Sequence, residues 1–389
     1  MKLKVSLFYL IFYLAEGAFM PFTSLFLHQK GYDGGQIGVV LAIISLAGII
    51  GQPIFGAIND SAKDYRTVLK VTTFLSALVS FGFFLKQYFV LTLIIASLFS
   101  FIVSPIGPIM DSISVEKGPQ FAFSYGQVRL WGAFGFAIIT AIVGYVYSNV
   151  GYQYSFTIYA AFSILVFILM FIFPKFEAPK RRSAFGKESL SEVLTNRSLA
   201  LFILISILIS SIVNINFSYL PIYFQKMHYP INLVGWNFTV AACIEIPLFW
   251  LSAKVREKMG LFSMLLTGTL AYSLKYLFMG FAPPVGIVIC LQTLDGLAFA
   301  FYYSAAVEII SQMAPKRAKS TSQALFGAAS GLAGIIGNLV GGLIIENQGA
   351  QFLYWVMSAV GLLATFLFLL FSRKSMYRLE FETEARNQA

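Results

Sequence analysis

The stretch Pro105–Gly135, PIGPIMDSISVEKGPQFAFSYGQVRLWGAFG, decides how the rest of the chain is read. It sits in a long apolar region, yet it carries Asp111 and, eighteen residues later, Arg129. Between them Glu116, Lys117, Gly118 and Pro119 make a short break. The simplest reading is two membrane helices joined by a tight loop, with one acid and one base on adjacent, antiparallel helices. A charge at the centre of a membrane helix costs about 2.5–3.5 kcal/mol on insertion scales, so it is expected to face a partner or a water-filled path and to mark a functional site.

Working outward, the whole chain has this character. Of 389 residues 58% are hydrophobic and only 11% charged, too little polar surface for a water-soluble protein of this length. The 40 Phe, 20 Tyr and 31 Gly fit a polytopic helical membrane protein, in which small residues let helices approach closely. The net charge of +10 is not a nucleic-acid footprint, because the basic residues fall in alternate loops and no soluble domain surrounds them. Cys243 and Cys290 lie in apolar segments and are expected to be buried thiols rather than a disulfide. The basic start, Met1–Lys4, is followed by no small-residue cleavage site, so the first apolar run is expected to be a retained helix.

About 20 apolar residues span the hydrocarbon, and twelve such segments are predicted. The first six are 5–28, 35–59, 67–86, 89–115, 124–148 and 152–174. The second six are 198–226, 231–254, 261–282, 285–313, 320–346 and 350–372. The expected organisation is an N-terminal six-helix bundle (1–174), a polar linker (175–197), a C-terminal six-helix bundle (198–372) and a polar tail (373–389). With the N-terminus inside, only Lys30, Lys86 and Lys226 fall in outer loops, so both termini are expected on the cytoplasmic side of the plasma (inner) membrane. The halves echo each other: GQVRLWGAFG in the fifth segment against SQALFGAASG in the eleventh. Two related six-helix halves with a site near the bilayer midplane are the layout of an internally duplicated transporter.

Two stretches carry a family resemblance. GQPIFGAINDSAKDYRTVLK (51–70) resembles the Gly-x-x-x-Asp…Arg signature between the second and third helices of the major facilitator superfamily. The resemblance implies an all-α fold of twelve transmembrane helices and a cytoplasmic gate braced by Gly56, Asp60 and Arg66. In physical terms, Gly56 would admit a neighbouring helix, and Asp60 would find partners in Lys63 and Arg66. FSYGQVRLWGAFGF resembles the fifth helix of the branch that includes lactose permease and phenylpropionate permease. That implies a substrate-binding role for Arg129, paired with Asp111. An arginine fork suits a carboxylate or two hydroxyls at once. Phe136, seven residues on, stands where the branch stacks an aromatic ring on its sugar. LQTLDGLAF around Asp295 resembles another run of the branch, with Asp295 in place of its histidine and Ala298 in place of an acid. Lys275 matches a basic position, and Glu245 falls within a turn of a substrate-binding acid.

The substrate-binding candidates are therefore Asp111, Arg129, Phe136, Glu245, Lys275, Asp295 and Asn216. A structural alternative stays open for each charged one: an ion pair that pins helices together. Glu16, Glu245 and Asp295 are the candidates for proton coupling. Five intramembrane acids (with Asp111 and Glu308) face two bases, Arg129 and Lys275, so at least one acid has to carry a proton. Glu308 is either a site residue or a partner of the 316–319 loop, KRAK. His28 and His228 lie near helix ends and are read as ordinary surface residues.

No HExxH, nucleophile–histidine pairing or metal-ligand cluster occurs, so neither an enzyme nor a metal or cofactor is expected. The expectation is a monomeric secondary transporter that partners a small-molecule substrate, protons and the lipid bilayer. Symport of a small polar organic solute is favoured, with organic or aromatic acids slightly ahead of saccharides and nucleosides because two buried bases would suit an anion. Drug efflux by proton antiport and a non-transporting membrane nutrient sensor are the alternatives.

Overall fold

The computed structural model describes residues 1–62, 64–85, 88–174, 192, 195–315 and 318–387. Side chains are described for these except Asp60, Pro119, Ala253, Lys319, Ser320 and 373–387. Most of the predicted linker lies outside these residues. The described chain is all helical, with twelve helices long and apolar enough to cross a membrane.

In order they are α1 (Lys2–Gln29), α2 (Gly34–Ser61), α3 (Tyr65–Ser80), α4 (Phe89–Lys117), α5 (Tyr125–Val150) and α6 (Tyr154–Ile172). Then follow α7 (Arg197–Lys226), α8 (Val234–Met259), α9 (Leu261–Gly280), α10 (Val285–Met313), α11 (Lys319–Asn347) and α12 (Ala350–Asn387). Each matches one predicted segment. Two run on further than expected, α8 to Met259 and α12 to Asn387. The added residues, VREKM and much of the polar tail, are mostly good helix formers, so the helix does not stop where the apolar run stops.

Local chemistry sets the ends and breaks. Asp33 caps α2 through a reciprocal box with Gln36, its Oδ1 accepting from the Gln36 amide at 2.7 Å. Pro21 turns α1 through a short 3-10 segment at Met20–Phe22, and the Thr23 hydroxyl donates to the Phe19 carbonyl at 3.0 Å. At Pro105 the helical run of α4 is interrupted, and Ser104 donates to the Gly48 carbonyl of α2 at 3.2 Å. The short turn from α5 to α6 is made at Gly151, whose φ of +100° a side chain would disfavour.

By compactness the chain falls into two units. One comprises Met1–Arg182, Ile215–Ala242 and Gly334–Ala350; the other comprises Ser183–Asn214, Cys243–Ala333 and Gln351–Ala389. Their boundaries cut α7, α8 and α11, so this partition differs from the six-plus-six division by sequence. In the first unit α1 packs on α5 and α6, α2 on α4, and α3 on α4 and α6. Its core brings Phe8, Tyr9 and Phe12 of α1 against Ile106, Ile109 and Met110 of α4 and Val166 and Met170 of α6.

The same unit includes a clasp of helix ends. The Glu346 Oε2 accepts from the Gly34 amide at 3.0 Å, and Tyr219 donates to the Asn338 carbonyl at 2.8 Å. A Cβ on Gly38 would lie 2.6 Å from the Asn338 carbonyl oxygen, so only glycine allows α2 that close to α11. Thr239 of α8 donates to the Ala137 carbonyl of α5 at 2.8 Å. In the second unit α9 lies along α10, with Gly268 against the backbone of Ala298 and Tyr302.

The cysteines depart from expectation. Cys243 and Cys290 are free and exposed.

Candidate functional site

In the first unit, α1, α4 and α5 build a polar cluster inside the apolar packing. Tyr9, Tyr13 and Glu16 recur at helical spacing along α1, so they share one face. Tyr9 is fully buried and donates its hydroxyl to Asp111 Oδ1 at 2.8 Å; Ser114 Oγ, a turn further along α4, lies 3.1 Å away. On α5, Tyr125 and Arg129 stand one turn apart. Tyr125 lies within electrostatic reach of both Asp111 and Arg129. The Arg129 guanidinium lies 4.1 Å from the centre of the Tyr13 ring and 5.9 Å from that of Tyr9. Gly132 makes room for this stack, since a Cβ there would fall 2.6 Å from the Tyr13 ring and 2.8 Å from an Arg129 nitrogen.

The expected direct pairing of Asp111 with Arg129 is therefore corrected. None of the four ion pairs among the described residues joins them. The Tyr9 hydroxyl takes the carboxylate instead, and the guanidinium is held by ring faces. Arg129 still acts on Asp111 electrostatically. The result is an acid and a base held apart, each oriented, with four hydroxyl-bearing side chains around them.

Phe136 is two turns along α5 from Arg129 and packs over Gly17 of α1, beside Glu16. Glu16 is 8% exposed, and its Oε1 has no hydrogen-bond partner among the described residues. Asn216 of α7 is buried.

In the second unit the charges meet directly. Lys275 of α9 has no exposed surface, and its Nζ donates to Asp295 Oδ1 of α10 at 2.6 Å. The Tyr276 ring centre is 5.2 Å from the ammonium, and Tyr272 stacks on Tyr276. Glu245 of α8 lies within electrostatic reach of Asp295 and Tyr272. Glu308 pairs with Arg256 at the end of α8; Lys316, Arg317 and the side chain of Lys319, of the KRAK loop, lie outside the described residues. Arg256 comes from the helical extension of α8 beyond the predicted boundary.

The signature after α2 is only partly as expected. No described atom lies within 4 Å of a Cβ placed on Gly56; the close approach is at Gly51, against the Phe101 backbone. The side chain of Asp60, and Lys63, lie outside the described residues. Arg66 is bonded instead to Asp64, with N–O distances of 2.7–3.0 Å, and donates to the Phe173 carbonyl at the end of α6 at 2.6 Å. A cation there meets the negative end of that helix. Burial pushes the Asp64 carboxyl up, but the hydrogen bonds from Arg66 outweigh it and hold the group below the usual aspartate value.

Sequence reading missed Tyr9, Tyr13, Ser114 and Tyr125. The i, i+4 spacings Tyr9–Tyr13 and Tyr125–Arg129 were the available signal, hidden among many aromatic residues.

The MFS_1 like family model matches residues 2–356. The maltose permease of Geobacillus stearothermophilus is 25% identical over 373 residues, covering 94% of each chain. A probable 3-phenylpropionic acid transporter of Escherichia coli (strain K12) is 23% identical, over 93% of this chain and 96% of its own. Among solved structures, the nucleoside transporter NupG superposes with a TM-score of 0.85 at 16% identity, covering 95% of this chain and 98% of that one. These are transporters, not enzymes, and the last likeness speaks for the fold.

Proposed function

Because the chain belongs to the MFS_1 like family, and is thus a multi-pass membrane transporter of the major facilitator superfamily, we propose that it is a proton symporter for a small, neutral, hydroxyl-rich solute. Saccharides and nucleosides are the classes meant. The observation that carries this reading is the matching of each buried base. Lys275 is already bonded to Asp295 at 2.6 Å, and Arg129 has Asp111 within electrostatic reach. An anionic solute would have to displace a carboxylate from a desolvated base or lie beside Asp111, and like charges in a low dielectric repel strongly. A neutral polyol instead donates to the acid and accepts from the base. Each hydrogen bond to a charged group contributes about 1.5–3 kcal/mol, so two or three support affinities in the micromolar to millimolar range.

Arg129 and Asp111 are assigned the solute's hydroxyls, with the Tyr13 face keeping the guanidinium fork in plane. Lys275, Asp295 and Glu245 are assigned as a candidate solute cluster of the second unit, and Asn216 as a further candidate of the first. The two six-helix halves of the sequence would alternate access to the two sides of the cell membrane, with both termini cytoplasmic and the protein acting as a monomer. The names of two relatives, a maltose permease and a nucleoside transporter, agree with a neutral solute; that of the phenylpropionic acid transporter does not.

Thermal-shift titration of purified protein with maltose, uridine and 3-phenylpropionate tests the class. The expected result is stabilisation by a neutral solute that disappears in Arg129→Ala. Stabilisation by 3-phenylpropionate alone would overturn the assignment. Counterflow in proteoliposomes separates a transporter from a sensor, which would exchange nothing.

A further inference from the structure

We propose that Glu16 on α1 carries the coupling proton, at a place distinct from the groups that hold the solute. The proposal rests on the symport reading above and names the residue that would make it work.

Three of the five intramembrane acids have a donor: Asp111 accepts from Tyr9, Asp295 from Lys275 and Glu308 from Arg256. Glu245 and Glu16 have none among the described residues, but Glu245 is only half-buried, with another acid, Asp295, as its charged neighbour. Glu16 is the buried one, and among the described residues no charged side chain acts on it. From α5, Phe136 and Ile139 close over Gly17, the next residue along α1. From α6 the titratable group is Tyr159, whose hydroxyl is 3.0 Å from Ser76 Oγ and whose ring is locked among Phe19 and Phe99. From its own helix Tyr13 is near, with its ring under Arg129.

An ionised carboxylate without a donor in such a place is strongly penalised, whereas the neutral acid is not. Glu16 is therefore stable in this arrangement as the protonated acid. It can release its proton only when α1 and α5 move and water enters. The release is a simple transfer from the carboxyl oxygen to water, and reprotonation on the other side of the membrane completes the balance.

The route from solute to proton runs along one helix. Arg129 and Phe136 are both on α5, two turns apart. α5 is seated tightly on α1, with Gly135 against the Leu10 carbonyl and Gly132 against Tyr13. A solute that draws Arg129 moves the helix whose Phe136 packs on Gly17, next along the chain from Glu16. The solute cluster and the proton site thus share a moving part without sharing a ligand.

Two measurements on full-length protein test this. Infrared difference spectra across neutral pH, recorded without solute, should contain the carbonyl stretch of a protonated carboxylic acid. That band should vanish in Glu16→Gln and persist in Glu245→Gln; the reverse pattern, or no change in Glu16→Gln, overturns the assignment. In proteoliposomes with labelled maltose or uridine, Glu16→Gln should keep counterflow within about twofold of the parent while its pH-driven accumulation ratio falls to one. Glu16→Asp should restore accumulation with a displaced pH profile. Uphill accumulation by Glu16→Gln sinks the proposal while leaving the transporter reading intact. Absence of counterflow by the parent with either probe faults the solute class, and the infrared bands then decide for or against Glu16 alone.

Discussion

Replacing Asp295 by Asn removes the negative partner of a lysine that has no exposed surface. The bond lost is the 2.6 Å contact from Lys275 Nζ to Asp295 Oδ1. Breaking a buried pair on one side costs about 3–5 kcal/mol, since the remaining charge stays desolvated. The Asp295 side chain is 20% exposed, and the Tyr276 ring 5.2 Å away gives the ammonium a weak alternative, so the lower end applies. A loss of ~3 kcal/mol corresponds to roughly 6–10 °C in unfolding temperature for a domain-sized unit. The assay is thermal unfolding of detergent-purified protein in a double-mutant cycle with Lys275→Met. The double variant should recover most of the loss, with a coupling of about 2 kcal/mol or more between the sites. The same variants, assayed for solute binding, separate a pin from a ligand: recovered stability without recovered binding assigns the pair to the solute as well. If Asp295→Asn is silent, or the two substitutions simply add, Lys275 does not depend on Asp295. The charge-matching argument for a neutral solute then fails.

Four further outcomes are expected. Tyr9→Phe removes the donor to Asp111 and should weaken solute binding about five- to tenfold, roughly 1–1.5 kcal/mol, with little change in maximal rate. Arg129→Lys keeps the charge but loses the fork and the Tyr13 stack, and should weaken binding at least tenfold by about 1.5 kcal/mol or more, measured by counterflow at varied solute concentration. Glu346→Ala frees the Gly34 amide at the start of α2 and should lower thermal stability by about 1 kcal/mol, whereas a neutral effect would show the clasp is held by its glycine contacts alone. Asp64→Asn should destabilise by about 1 kcal/mol at neutral pH. Asp64 is held below its ordinary value, so its contribution is fully present above about pH 4 and fades as pH falls through the lower folded value; parent and variant should converge in acid.

The spans were legible because a membrane allows few alternatives. An apolar run of sufficient length has to be a helix, and the hydrocarbon fixes how long it must be. Asp111, Arg129, Lys275 and Asp295 stood out for the same reason, as charges where charge is expensive. Their partners were harder. Lys275 and Asp295 do pair, but Asp111 is met by the Tyr9 hydroxyl, and an aromatic residue in so aromatic a chain gives no sign that its hydroxyl is in use. Arg256 as a partner of Glu308 went unseen because α8 was ended too early, before Arg256. Gly56 looked like a helix contact by motif, whereas the contact that glycine permits is at Gly51, a choice set by helix rotation rather than by residue type. Glu16 was one candidate among several until packing showed its Oε1 buried with no partner among the described residues.

The central claim is that a neutral solute crosses together with a proton. Solute-evoked current in protein-containing liposomes at zero pH gradient reads it directly. A neutral solute with one proton carries net positive charge, so addition of maltose or uridine should give a transient positive current in the direction of solute entry, abolished in Glu16→Gln while counterflow continues. Transport of solute with no current, or a current that survives in Glu16→Gln, would contradict the account.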